Sequence, residues 1–240
     1  MNFIVCDNYD EMSKEAAKIV IAQMKEKEDT ILGLATGSTP VGLYKELIKA
    51  NKEGEISFKK VKTFNLDEYY PISKESDQSY YYFMNDNLFS HVDIDKANTD
   101  IPNGEAKDAD AECADYEARI AASAGVDIQI LGIGQNGHIG FNEPDKALNV
   151  KTHCTKLTQN TIEANSRFFD SIDDVPTSAL TMGIGTIMKA KKIILLASGE
   201  NKKDAVSALL SDDITTDVPA TMIKLHDDVT IICDKAAYTK

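Results

Sequence analysis

Arginine is almost missing from this chain. Of 26 basic residues only Arg119 and Arg167 are arginines, and 39 acidic residues bring the net charge to −13. A surface that tracks nucleic-acid phosphates needs clustered Lys and Arg, so this balance points away from a nucleic-acid partner. Cysteine is sparse too: Cys6, Cys113, Cys154 and Cys233 form no C-x-x-C pair. In a chain of this size without a secretory signal that predicts reduced thiols rather than bridges. The four histidines, His91, His138, His153 and His226, are scattered and make no H-E-x-x-H ligand set, so no metal is expected. No apolar run approaches the ~18 residues that span a bilayer. The opening Met1-Asn2-Phe3-Ile4-Val5 passes at once into acidic and basic residues, unlike a secretory signal. These absences predict a soluble cytoplasmic protein with no membrane partner.

What is present alternates. Short apolar runs at Phe3–Cys6, Thr30–Leu34, Val61–Leu66, Val126–Leu131, Lys192–Ala197 and Val229–Cys233 read as strands. Between them, helical spacing marks Tyr9–Glu26, the stripe Leu43, Tyr44, Leu47 and Ile48, then Ser79–Phe89, Ala109–Ala122, Gln159–Phe169, Thr177–Ala190 and Lys202–Leu210. Strands separated by helices predict an α/β fold, an open and mostly parallel sheet with helices on both faces. With no internal repeat and no linker, residues 1–240 read as one domain.

The densest chemistry lies at 134–144, Gly-Gln-Asn-Gly-His-Ile-Gly-Phe-Asn-Glu-Pro, just past the strand Val126–Leu131. Ligands of open α/β sheets sit beyond the carboxyl ends of strands, and His138 with Glu143 offers an acid/base pair there. Gly132, Gly134 and Gly137 also spell G-x-G-x-x-G. A dinucleotide fingerprint needs a helix at its third glycine and an acid about 20 residues on. Pro144 comes too soon for that helix, and Thr155-Lys156-Leu157-Thr158 carries no carboxylate, so the match is a decoy.

Two further strand ends carry polar groups. In Gly33-Leu34-Ala35-Thr36-Gly37-Ser38-Thr39-Pro40, Thr39 suits an N-cap and Pro40 the first helical position. Gly37 and Ser38 would then show backbone N–H groups to an anion, such as the phosphate of a small metabolite. Asn65-Leu66-Asp67-Glu68-Tyr69 brings two acids to the end of the third strand. Neighbours on a strand point to opposite faces, so one of the two at most faces the cleft.

In order and spacing these segments are similar to the glucosamine/galactosamine-6-phosphate isomerase family, which includes glucosamine-6-phosphate deaminases. The matching stretches are L-G-L-A-T-G-S-T-P at 32–40, F-N-L-D-E-Y at 64–69, G-I-G-Q-N-G-H-I-G-F-N-E-P at 132–144, A-N-S-R-F-F at 164–169 and S-G-E-N-K at 198–202. The resemblance implies that Asp67 moves a proton between C2 and C1 of the open-chain sugar and that His138 opens the ring. It implies that Asn136 and Glu143 support the histidine, and that Gly37, Ser38, Thr39, Arg167 and Lys202 bind the phosphate. Asn136 departs from the aspartate of a well-known branch; an amide orients His138 without charge. Glucosamine 6-phosphate and water would become fructose 6-phosphate and ammonium, in amino-sugar catabolism.

T-G-S-T-P alone would also fit a 6-phosphogluconolactonase, which needs no base at Asp67. A non-enzymatic sugar-phosphate sensor would lack the His138/Glu143 pair. Longer family members carry a carboxyl-terminal segment that helps form an effector site, and the sequence ends at Lys240. Hyperbolic kinetics and a monomer or small homo-oligomer are therefore expected.

Overall fold

Seven parallel strands form the main sheet of the computed structural model, which describes residues 1–158, Ile162, Ser171 and 175–238. The strands are β1 (Asn2–Cys6), β2 (Ile31–Leu34), β3 (Lys62–Asn65), β5 (Thr99–Asp100), β6 (Ile128–Leu131), β9 (Lys192–Ala197) and β10 (Val229–Asp234). Their spatial order is β1-β10-β9-β6-β2-β3-β5. From β2 the chain builds outward through β3 and β5 on one side, then returns to lay β6, β9 and β10 on the other. The order therefore reverses between β2 and β6, the kind of crevice where ligands bind in such sheets.

The strands are buried on both faces because their residues alternate between two apolar layers. Leu32, Leu34, Ile128, Ile130, Ile194, Leu196 and Ile232 pack with α1 (Tyr9–Glu26), α2 (Val41–Lys52) and α3 (Tyr80–Asn87). Ile31, Leu131, Ile193, Leu195, Ala197 and Ile231 pack with α4 (Ala109–Ala122), the single turn α5 (Ile184–Ile187) and α6 (Lys203–Leu210). The expectation of an open parallel sheet covered on both faces is met.

The sequence reading did not foresee a second sheet. β4 (Asp67–Tyr70), β8 (Ser178–Thr181) and β7 (His153–Lys156) are antiparallel, in the order β4-β8-β7. Leu66 is the seam between the two sheets. Its N–H donates to Leu34 of the main sheet (2.9 Å), while its carbonyl accepts from Met182 beside β8 (2.8 Å). The expected helix Thr177–Ala190 is corrected to β8 followed by the one-turn α5. Apolar spacing at Leu180, Ile184 and Ile187 imitates a helix, but Ser178–Thr181 pairs in register with β4 and β7. Gly183 then passes so close to the 149–151 backbone that a Cβ would stand 2.3 Å from the Lys151 carbonyl. Apart from Ile162, the expected helix Gln159–Phe169, with Arg167 in it, lies outside the described residues.

Candidate active site

Four neighbouring strands, β9, β6, β2 and β3, end at the same edge and deliver nearly every residue singled out by sequence. β9 leads into Ser198–Lys202, β6 into the glycine-rich loop 132–144, β2 into Ala35–Pro40, and β3 through Leu66 into Asp67. Arg167 lies outside the described residues.

Asp67 opens β4 and is buried, 6% exposed. Burial pushes its carboxyl up to about 8, and the neighbouring Glu68 carboxylate adds to the rise. The raised value comes from the fold itself, which takes the carboxyl out of water. Glu68 points elsewhere, as strand alternation requires. Its carboxylate accepts from the N–H groups of Tyr69 (2.9 Å), Tyr80 (2.8 Å) and Tyr81 (2.9 Å), so it anchors the start of α3. Burial raises Glu68 to about 7, while these three bonds pull the other way.

The glycine-rich loop folds back on itself, with Gly134 N–H donating to His138 C=O (2.9 Å) and Gly137 N–H to Gly134 C=O (3.0 Å). Gly134 lies flat against the imidazole, where a Cβ would stand 2.3 Å from His138 Nδ1. Gly140 adopts φ +58° and runs beside the acid. A Cβ there would be 2.8 Å from Thr181 Oγ1 and 3.5 Å from Asp67 Oδ2. Asn142 ties the loop to the second sheet through bonds to the carbonyls of Ile139 and Met182.

His138, Asn136 and Glu143 meet as a unit. Asn136 Nδ2 donates to Glu143 Oε2 (2.7 Å), which leaves Asn136 Oδ1 facing His138 Nδ1 at 2.8 Å. A carbonyl oxygen only accepts, so Nδ1 carries the proton and Nε2 is left with its lone pair. Glu143 Oε2 also lies 3.3 Å from Nδ1. A carboxylate therefore stands beside the imidazole together with the amide of Asn136.

In the loop that follows β2, Gly37 adopts φ +88°, a left-handed conformation that glycine takes without strain. The proposed Thr39 cap is corrected: α2 starts at Val41, Pro40 holds the cap position, and no side chain of that residue caps the helix. The cap comes from afar. The Tyr9 hydroxyl donates to Ser38 C=O (2.9 Å) and accepts from Gly42 N–H (2.8 Å). Tyr9, Ser38, Thr39, Val41 and Ser198 line a cavity of about 410 Å³.

Lys202 ends a 3₁₀ turn, Glu200–Lys202, that leads into α6. Burial lowers its pKa below the ordinary lysine value, and it has no acidic partner among the described residues. A half-buried ammonium without an anion suits a ligand phosphate. Asp234 sets the start of this turn. Its carboxylate accepts from Ser198 Oγ (2.5 Å), Gly199 N–H (3.1 Å) and Ala237 N–H (2.8 Å).

The other histidines bond to main-chain carbonyls: His91 to Asp86, His153 to Lys151 and His226 to Ala190. Among the described residues no three His, Cys, Asp or Glu side chains gather as a metal site. All four cysteines are free, and no described helix is long and apolar enough to cross a membrane. Sequence reasoning missed Tyr9, Ser198 and Asp234, to which none of its motifs assigned a role, and gave Glu68 no role beside Asp67.

The fold and this strand-end site define a class, the glucosamine-6-phosphate isomerases/6-phosphogluconolactonase family, whose model matches residues 7–232. The chain belongs to that family. Within it, the chain is 58% identical over 237 residues to a glucosamine-6-phosphate deaminase of Clostridium perfringens, covering 99% of this chain and 98% of that one. A glucosamine-6-phosphate deaminase of Thermoanaerobacter sp. is also 58% identical over 237 residues, covering 99% and 94%. Among solved structures, a monomeric glucosamine-6-phosphate deaminase superposes with a TM-score of 0.96 at 47% identity, covering 99% and 98%. The 6-phosphogluconolactonase of Leishmania guyanensis matches with a TM-score of 0.74 at 22% identity over 98% and 97%, a likeness of fold alone.

Proposed function

We propose that this chain is a glucosamine-6-phosphate deaminase, converting glucosamine 6-phosphate and water to fructose 6-phosphate and ammonium. One observation carries the reading: a buried carboxyl, Asp67, borders at Gly140 the strand-end loop that carries a histidine whose Nε2 is left free to exchange a proton. That combination serves a substrate that must first be opened and then lose a carbon-bound hydrogen.

His138 Nε2 moves the anomeric hydroxyl proton to the ring oxygen, and the Asn136–Glu143 pair holds the ring and its transient positive charge. Asp67 then takes the C2 proton of the open-chain aldehyde and returns it to C1. The C2–H electron pair forms the C1=C2 bond of an enolamine as the aldehyde oxygen takes up a proton, and when C1 is protonated the nitrogen lone pair closes a C=N bond, leaving a protonated imine at C2. Water adds to C2, the C–N bond breaks, and ammonia departs and takes up a proton as ammonium. A base that is only ionised in part at neutral pH is a stronger acceptor for a carbon acid than an ordinary aspartate.

The phosphate is held by the loop Gly37, Ser38 and Thr39 with Lys202, and Arg167 is proposed to close on it. No metal or organic cofactor enters these steps. A lactonase has no use for a raised carboxyl at position 67, so the deaminase reading is preferred. We infer a monomer acting in the cytoplasm, supported by the monomeric deaminase of like structure. Ammonium release from glucosamine 6-phosphate by the purified protein tests the reading, and absence of release overturns it.

A further inference from the structure

We propose that Tyr9, at the start of α1, is a positioning residue for the substrate phosphate: its hydroxyl ties the Ser38 carbonyl down and caps α2 from outside the loop. The proposal rests on the reading above that this loop binds phosphate.

An anion loop works only if N–H groups face the ligand and carbonyl oxygens do not. Among the described residues the N–H groups of Gly37, Ser38 and Thr39 have no hydrogen-bond partner. The loop's own sequence does not dictate which way its peptides turn, because Gly37 at φ +88° permits orientations that other residues resist. Pro40, in the cap position, adds neither an N–H nor a side-chain acceptor.

Tyr9 removes that freedom. By donating to Ser38 C=O it fixes the Ser38–Thr39 peptide, and in a planar trans peptide the Thr39 N–H then points the opposite way. By accepting from Gly42 N–H it satisfies one of the first N–H groups of α2, which no intrahelical carbonyl can reach. The close approach is prepared on both sides. A Cβ at Gly42 would stand 2.2 Å from Ser13 Oγ and 3.0 Å from Tyr9 Cε1, while Ser13 Oγ donates to the Tyr9 carbonyl (2.9 Å). Tyr9 also lines the cavity between this loop and Ser198, so a loosened loop would lose its shape where the phosphate sits.

The variant Tyr9→Phe keeps the ring and deletes only the hydroxyl. Steady-state kinetics on the full chain should show KM for glucosamine 6-phosphate rising about fivefold to tenfold, the range that one net hydrogen bond controls. The kcat should stay within about threefold, since Asp67 and His138 are untouched. Calorimetric titration with inorganic phosphate should show weaker binding by a similar factor. A KM unchanged within twofold, or a kcat that falls as far as KM rises, would overturn the proposal. So would a lowered melting temperature with unaltered KM, the mark of a merely structural hydroxyl. If the parent released no ammonium, the deaminase reading would fail. The phosphate titration of parent against variant would still decide the role of Tyr9.

Discussion

Replacing Asp67 with asparagine separates what this carboxyl does for the reaction from what it does to the fold. An unfolded aspartate titrates near 3.9, whereas burial holds the folded one up to about 8. Because the folded value is the higher, the stability this residue contributes is complete below the unfolded value and is lost as pH rises through the folded one. Each pH unit in between is worth about 1.4 kcal/mol. The loss therefore grows from about 1–2 kcal/mol at pH 5 to about 5 kcal/mol at pH 8. An amide has no proton to lose and nearly the same shape, so Asp67→Asn escapes this loss. Its advantage over the parent should widen by about 3–4 kcal/mol between pH 5 and pH 8, or roughly 7–14 °C in Tm for a chain of this size. Thermal unfolding followed by circular dichroism at the two pH values measures it. The same protein should lose deamination by about 10²–10⁴-fold, the usual worth of a general base, and should stop carrying solvent deuterium into C1 of the product. A difference in Tm that ignores pH, or a variant less stable than the parent at pH 8, would refute the buried-carboxyl argument. Retained deuterium exchange would refute the chemical one.

Gly134→Ala should push the imidazole off its seat, since the new Cβ would stand 2.3 Å from His138 Nδ1; turnover should fall about 10²-fold, as for a misplacement near 1 Å, and His138→Gln should fall as far. Both losses should shrink for a substrate analogue already locked open, and equal losses on cyclic and open forms would place His138 outside ring opening. Lys202→Ala should weaken glucosamine 6-phosphate binding by about 2–3 kcal/mol in calorimetry, as for a charge-assisted hydrogen bond. Because burial lowers the Lys202 pKa, the parent's affinity should decline with rising pH before an ordinary lysine would titrate, and the variant should not show that decline. Asp234→Asn should place an amide against the Gly199 N–H and Ser198 hydroxyl, lowering Tm by roughly 2–8 °C for about 1–2 kcal/mol and raising KM; an unchanged KM would detach Asp234 from the phosphate site.

The parallel layer was legible because its signals are local. Apolar runs such as Ile128–Leu131 and Lys192–Ala197 are buried on both faces, and each is bounded by the polar loop it feeds. The second sheet was not, and Leu66 shows why. Nothing in Asn65-Leu66-Asp67 resembles a turn, so one strand seemed to end where two sheets in fact meet, one hydrogen bond on each side of a single leucine. β8 failed differently: its apolar residues fit a helical period, and only partners from positions 67–70 and 153–156 decide otherwise. Within the proposed site the sequence singled out side chains whose type suits proton transfer or anion binding, because that chemistry restricts residue type. It concealed those that act through the main chain. Tyr9 reaches 29 residues to Ser38 and Asp234 reaches 36 to Ser198, and each could be any donor or acceptor that the fold happens to bring there. The doubtful position, Asn136, reads clearly only in three dimensions. The loop sets Asn136 Oδ1 2.8 Å from His138 Nδ1 and turns Glu143 back to within 3.3 Å of the same nitrogen, an arrangement that the spacing of 136, 138 and 143 along the chain does not announce.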